Sequence, residues 1–285
     1  MFRVVYSGSR NGFYNTAIDP VLLRRVERGE SPDTIVISQW DPTVSVSHSQ
    51  SMSQDVDIDE CHRRDIDCVR REGAGKSVYL DNNYIVFSLV MKHYHPFEKL
   101  GDIRQKQCQS VIDVLKSYKL PVQFHQPDNI IVSNGKYYRT MGNAGQKLAV
   151  NGFYLQGSVR YDLPEESFDN LIHTLKAAGE SLVHHQDTAR KSLACVREYK
   201  KIAKDEIAKK IAQSLASTFN ASVDEETRNF EQGERKEISQ HAEELRKPEW
   251  LADKPENTSL GICYFFLNGV NMLPMNMTYN PPSRL

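Results

Sequence analysis

Residues 70–81 read Arg-Arg-Glu-Gly-Ala-Gly-Lys-Ser-Val-Tyr-Leu-Asp. Two guanidiniums stand beside a glycine-containing turn that runs directly into β-branched and aromatic residues, the layout of an anion cradle. Gly75-Lys76-Ser77 matches the end of the phosphate-binding pattern G-x-x-x-x-G-K-[ST], but the first glycine of that pattern would fall at Arg70. A P-loop also needs a helix opening at its Lys-Ser pair, because the free N–H groups of that helix hold the phosphates. Here Ser77-Val78-Tyr79-Leu80 is followed by a turn at Asp81-Asn82-Asn83 and by Tyr84-Ile85-Val86-Phe87-Ser88-Leu89-Val90, which is strand composition. The stretch is therefore a loop between strands, and the P-loop is disfavoured.

Outward from this loop, the first two-thirds of the chain alternates short strand-like runs with a few helices. Phe2 to Tyr6, Thr34 to Trp40 and Val44 to Ser47 read as strands. Thr16 to Arg28 reads as a helix, capped near Asn15 or Thr16 and ended by Gly29, and Leu100 to Tyr118 as a second with Ile103, Val111, Val114 and Leu115 on its apolar face. Asn134-Gly135 and Asn151-Gly152 are hairpin signals between β-forming runs. The expected fold is α+β: a mixed, largely antiparallel sheet flanked by helices. From Pro164 onward the character changes. Asp205 to Phe219 carries Ile207, Ile211, Leu215 and Phe219 in steps of four, an amphipathic helix. Glu226 to Lys247 is so charged that an exposed helix is expected, and Pro255 to Leu285 has no clean period.

Composition bounds the function. The 285 residues carry 36 Lys plus Arg against 37 Asp plus Glu, a net charge of −1, so the overall balance gives no sign of a nucleic-acid partner. The five cysteines, Cys61, Cys68, Cys108, Cys195 and Cys263, contain no C-x-x-C pair, which argues against a disulfide framework and a structural zinc site. No apolar run approaches the roughly 20 residues of a membrane span, and a cytoplasmic or organelle-matrix location is expected. His93, His95, His184 and His185 read as surface residues, and Asp57, Asp59 and Glu60 as helix-start charges. No resident metal site is expected.

Several landmarks in order resemble the lipoate-protein ligase branch of the biotin/lipoate ligase superfamily. Asn15-Thr16-Ala17-Ile18-Asp19-Pro20-Val21-Leu22-Leu23 is similar to an opening N-x-A-x-D-x-x-L-L helix, and Arg70 to Asp81 occupies the place of R-R-x-[ST]-G-G-G-x-V-[YF]-H-D. Asp128-Asn129 and Arg139-Thr140-Met141-Gly142-Asn143-Ala144 sit where the family has N-D and K-I-x-G-x-A. The resemblance runs over residues 3 to 250 and implies one catalytic domain over 1–250, a C-terminal tail over 251–285, and a sheet related to class II synthetase cores. It implies a reaction as well: ATP, with magnesium as its companion, and lipoate give lipoyl-adenylate, whose acyl group passes to a lysine of a lipoyl carrier domain of a 2-oxoacid dehydrogenase or glycine-cleavage-type protein. The residues implied to hold ATP and lipoate are Arg70, Arg71, Gly73, Ala74, Gly75, Lys76, Ser77, Val78, Tyr79, Asp81, Asp128, Asn129, Arg139, Gly142, Asn143 and Ala144. Activation brings a carboxylate against a triphosphate, so fixed cations are needed to offset repulsion and developing charge. Tyr79 would lid an acyl slot walled by the long strand after the loop.

The chain departs from the family pattern where the chemistry lies. Arg139 replaces the lysine, Leu80 the histidine of H-D, and Leu155 falls where a second histidine is expected; Ala74 and Lys76 replace two glycines, and Asp128-Asn129 is inverted. Arginine keeps the charge of lysine but not its compact geometry. Three outcomes stay open at the sequence level. The site is rebuilt, with Lys76 supplying the ammonium and Arg139 gripping phosphate as the catalytic pair; or the fold persists as an acyl-binding or partner-binding subunit without adenylation; or acyl transfer runs through a cysteine thioester, as in octanoyl- and lipoyl-transferases.

Overall fold

The computed structural model describes residues 2–48, 50–73, 77–92, 100–125, 129–134, 137–142, 144–148, 152–162, 194–220 and 229–252. The first elements are β1 (Phe2–Arg10), α1 (Gly12–Arg28), β2 (Asp33–Trp40), β3 (Thr43–Ser47), α2 (Met52–Asp55), α3 (Ile58–Arg63), β4 (Asp67–Arg71), β5 (Val78–Leu80) and β6 (Tyr84–Lys92). They are followed by α4 (Leu100–Ser117), β7 (Val122–His125), β8 (Asn129–Asn134), β9 (Tyr137–Gly142), β10 (Ala144–Leu148) and β11 (Gly152–Arg160). The last are α5 (Val196–Tyr199), α6 (Lys204–Thr218), α7 (Gln232–Leu245) and α8 (Pro248–Leu251). The proposed tail over 251–285 lies outside the described residues beyond Ala252.

Five strands in the order β1-β2-β6-β11-β10 make the main sheet. β1 and β2 are parallel, and β6 is antiparallel to both β2 and β11. Side chains along these strands alternate between two cores, as the period of two requires. Val4, Ile35, Ile37, Ile85, Phe87 and Leu89 pack under α4 and α6, while Val5, Val36, Val90 and Tyr154 pack under α1 and α7. The sheet is thus covered on both faces, which is why its central strands read as unbroken apolar runs. A second sheet, β4-β3-β5, leans on α1, and a third, β7-β8-β9, adjoins β11 through β9.

Ser77 leads straight into β5, which pairs antiparallel with β3, so no helix opens at Lys76-Ser77 and the P-loop is excluded by topology. The Asn134-Gly135 hairpin is formed, with Asn134 opposite Tyr137. In the second hairpin Leu148 stands opposite Phe153, and residues 149–151 lie outside the described residues.

Two expectations need correction. α1 begins at Gly12 rather than Thr16: Asn11 is the cap, its side chain accepting from the Tyr14 N–H at 2.9 Å. Asn15 instead donates through Nδ2 to the carbonyls of Arg10, at 3.0 Å, and Gln39, at 2.9 Å, fastening α1 to the ends of β1 and β2. Nor is α7 a solvated rod. Glu234, Ile238, Ala242 and Leu245 recur at one face of it and are buried against α1, the Glu234 carboxylate meeting Arg3 and Ser31. The charge density of the sequence concealed a narrow apolar stripe.

Candidate functional site

The candidate site lies where the C-terminal end of β4 meets β11 and the middle of α1. Arg70 and Arg71 are adjacent on β4 and therefore point to opposite faces. The Arg70 side chain turns inward, donating to the carbonyls of Gln50 at 2.6 Å, Ser47 at 3.4 Å and Leu251 at 3.4 Å, and its own carbonyl accepts from Trp250 Nε1 at 2.8 Å. Its guanidinium fastens α8 and the segment after β3 to the strand. Arg71 takes the other face. Its Nη1 donates to the Ser45 carbonyl at 2.7 Å, and burial lowers its pKa to about 10, opposed by the nearby Tyr154. The group remains cationic at neutral pH.

Glu72 anchors the next step of the loop. Its Oε1 lies 3.4 Å from Arg24 Nη1 on α1 and 3.1 Å from His241 Nε2 on α7, whose ring meets Trp250 edge-on. Gly73 then passes directly over Tyr154: a Cβ there would lie 2.8 Å from the tyrosine hydroxyl. Only glycine allows so close an approach without displacing the ring.

Beneath this contact α1 presents Asp19 to the sheet. Asp19 is 4% exposed, and its Oδ2 accepts from Ser88 Oγ at 2.8 Å and from Gln156 Nε2 at 3.2 Å. Burial raises its pKa to about 7, a rise that the Ser88 hydrogen bond only partly offsets. Tyr154 and Gln156 project to the same face of β11, and Lys147 of β10 stands at the register position opposite Tyr154. Asp19, Ser88, Tyr154 and Gln156 were not singled out from the sequence as site residues, although Asp19 belonged to the helix motif quoted above.

The remaining sequence-named residues divide in two. Ser77 Oγ donates to Gln50 Oε1 at 3.0 Å; Val78 and Tyr79 are half-buried, the Tyr79 hydroxyl donating to Asp81 Oδ2 at 3.3 Å; and Asp81 also accepts from the Asn83 N–H at 2.8 Å. Leu80 is buried with Trp40, Tyr84 and Val86, and Leu155 is fully buried in β11. For the others only strand position is described: Asn129 opposite His125, Arg139 opposite Val132, Gly142 opposite Ile130 and Ala144 opposite Gly157. β9 and β10 are separated only by Asn143, so the run from Arg139 to Ala144 passes from the third sheet to the edge of the main one. Ala74, Gly75, Lys76, Asp128 and Asn143 lie outside the described residues, as do His93, His95, His184, His185 and Cys263.

The four described cysteines are all buried and unbridged. Cys61 and Cys68 share a hydrogen bond in the small core under α3, Cys108 is on α4, and Cys195 precedes α5. Burial raises the Cys108 and Cys195 thiols above their ordinary value, and neither lies on the Arg71–Tyr154 face. Among the described residues no group of three His, Cys, Asp or Glu is arranged to hold a metal ion, and no helix is long and apolar enough to cross a membrane.

The lipoyl protein ligase A/B catalytic domain profile matches residues 11–216. The chain belongs to this family. Its fold agrees: the structure of a bi-partite lipoate protein ligase from Thermoplasma acidophilum, described with its E2 lipoyl domain, superposes with a TM-score of 0.75 at 15% identity, covering 89% of this chain and 97% of that one. A lipoate-protein ligase A bound with ATP superposes with a TM-score of 0.72 at 16% identity, covering 87% and 97%. Among curated relatives, the octanoyltransferase LipM of Staphylococcus epidermidis is 32% identical over 97 residues, which is 34% of this chain and 35% of the relative. The probable lipoate-protein ligase A of Mycoplasma pneumoniae is 21% identical over 234 residues, 81% of this chain and 65% of the relative. The match to the octanoyltransferase thus spans about a third of its length. This lipoyl ligase-family chain has the α+β fold of those structures, with the mixed sheet expected from its sequence.

Proposed function

We propose that this chain is an ATP-dependent lipoate-protein ligase. The observation that carries the proposal is the Arg71 guanidinium, held at the Gly73 turn and against Tyr154 on the face where β4, β11 and β10 converge. A cation fixed in a poorly solvated site is what apposing a carboxylate and a triphosphate requires. In the first step a lipoate carboxylate oxygen attacks the α-phosphorus of ATP and pyrophosphate leaves. In the second a lysine amine of a lipoyl domain attacks the acyl carbon, AMP leaves, and the amine loses a proton. Magnesium travels with ATP, held chiefly by its phosphates. Arg71, Gly73 to Tyr79 and Asp81 line the nucleotide and acyl side in this proposal, while Arg70, turned to the other face, braces the strand behind them; Asp128, Asn129 and the run from Arg139 to Ala144 close it from the third sheet and the edge of the main one, with Lys76 and Arg139 as the catalytic cations.

A second reading, octanoyl transfer through a cysteine thioester, is favoured by the local identity to the LipM octanoyltransferases. Against it stands the placement of Cys61, Cys68, Cys108 and Cys195 in packed cores away from the Arg71 face. The deciding experiment is lipoate-dependent exchange of pyrophosphate into ATP, followed by mass spectrometry of an added lipoyl domain. Exchange and a lipoyl mass increment support the ligase. ATP-independent transfer from an octanoyl-carrier protein, with no exchange, would replace it by the transferase.

A further inference from the structure

Tyr154 stands in the site beside Arg71 and under Gly73. Its side chain is buried, yet its hydroxyl makes no hydrogen bond to a described residue. Desolvation raises the phenol well above its ordinary pKa, reinforced by Asp19 and Glu72 and opposed by Arg71 and Arg24, so at neutral pH the oxygen carries its proton and is a donor. The donor sits in a poorly solvated setting with a cation beside it, where a hydrogen bond to an anionic ligand is strengthened.

Gly73 supplies a second, independent observation. In the pattern R-R-x-[ST]-G-G-G the position of Gly73 carries a hydroxyl residue, and this chain has none there. The space that a side chain at 73 would enter is taken by the Tyr154 hydroxyl, 2.8 Å from the would-be Cβ. The Tyr154 hydroxyl, coming from β11, thus stands where a side chain at 73 would reach.

Resting on the ligase proposal, we infer that the Tyr154 hydroxyl donates a hydrogen bond to the carboxylate of the acyl substrate, beside the Arg71 guanidinium, and so sets where that carboxylate lies before activation. The neutral phenol adds direction where the guanidinium adds charge: a single O–H fixes one oxygen, and the fork of Arg71 approaches from the side of β4. Because the hydroxyl enters from β11, residue 73 must stay without a side chain.

The test is calorimetric titration of the full chain and its Tyr154→Phe variant with lipoate, with lipoamide and with ATP, alongside pyrophosphate exchange by the unmodified chain. Tyr154→Phe keeps the ring and removes only the oxygen, and its thermal midpoint should match that of the parent. We expect lipoate affinity to fall about tenfold, lipoamide affinity to fall less because its neutral carbonyl is the weaker acceptor, and ATP affinity to stay within twofold. Gly73→Ser should weaken lipoate binding in the parent and restore it in the Tyr154→Phe background, where the crowding oxygen is gone. Lipoate binding unchanged in Tyr154→Phe would overturn the inference, as would a loss confined to ATP, which would give the hydroxyl to a phosphate. If the parent binds lipoate but catalyses no exchange, the ligase proposal fails while the Tyr154 contact stands or falls on the titration alone.

Discussion

Arg3 on β1 and Glu234 on α7 form an ion pair with both side chains buried, joining residues 231 positions apart. Glu234 is fully enclosed: Ser31 Oγ donates to it at 2.6 Å and the Glu231 N–H at 2.9 Å. Burial alone would raise its pKa, but the Ser31 and Arg3 hydrogen bonds and the Arg3 charge hold it below the ordinary 4.5. Arg3→Met strands a buried carboxylate and is expected to cost about 3–5 kcal/mol in equilibrium denaturation. Adding Glu234→Leu should recover much of that loss, since the uncompensated charge is then removed. Because the carboxyl is depressed in the folded state, its contribution is present above pH 4.5 and is lost as pH falls through the lower folded value, so Arg3→Met should flatten the acid limb of stability.

Asp19 titrates in the opposite sense. Its folded pKa of about 7 exceeds the ordinary 3.8, so between these values the native state binds more protons than the unfolded one, and stability falls as pH rises. The full penalty, on the order of 4 kcal/mol, is reached above pH 7. Asp19→Asn should remove this slope, gaining on the parent between pH 5 and pH 8 in urea midpoints. Equal slopes in the two proteins would show that Asp19 is not the titrating group.

Under the ligase proposal, Arg71→Ala should lower pyrophosphate exchange by roughly 10²–10³-fold, the scale of losing one preorganised electrostatic contact. Arg71→Lys should recover little, because an ammonium cannot reproduce the fork that reaches both Ser45 and a ligand oxygen. Near-parental exchange in Arg71→Ala would exclude this arginine from the reaction.

Cys195→Ala should leave transfer to a lipoyl domain within about twofold of the parent. Its thiol is buried, with its pKa raised by desolvation, and at neutral pH too little thiolate is present to serve as nucleophile. A folded but inactive Cys195→Ala, or a hydroxylamine-labile acyl-enzyme in the parent, would favour the thioester mechanism.

Gly152 opens β11 where a Cβ would lie 2.8 Å from Leu23 Cδ1 and 3.0 Å from the Met91 carbonyl oxygen. The leucine can turn but the carbonyl is held in the sheet, so Gly152→Ala should destabilise by roughly 1–3 kcal/mol in thermal or urea unfolding.

Local pattern was enough for most of the elements. Apolar period, the Asn134-Gly135 turn and Gly29, which adopts φ 74° at the end of α1, are properties of neighbouring residues, and the structure keeps them. The ordered landmarks from Asn15 to Ala144 pointed to the family that the profile match shows. The start of α1 was misplaced because Asn11 and Asn15 are equivalent capping residues to a local rule; Asn15 is drawn off by the Arg10 and Gln39 carbonyls, which belong to two different strands. From sequence alone α7 reads as a solvated helix, because Glu234 counts as a surface charge until Arg3 and Ser31 are brought to it.

The same division runs through the site. By itself the sequence determined that a cationic, glycine-containing loop leads into a strand, that no P-loop helix follows, and that the chain differs from the family pattern at Ala74, Lys76, Leu80 and Arg139. Only the tertiary structure decided that Arg70 and Arg71 part company, one tying α8 to the core and one facing Tyr154, because a strand sends successive side chains to opposite faces and packing alone says what each face meets. It also decided what surrounds Arg71. Asp19, Gly73, Ser88, Tyr154 and Gln156 come from four separate segments, and each is an ordinary residue until folding ties Asp19 to Ser88 and Gln156 and sets Gly73 over Tyr154.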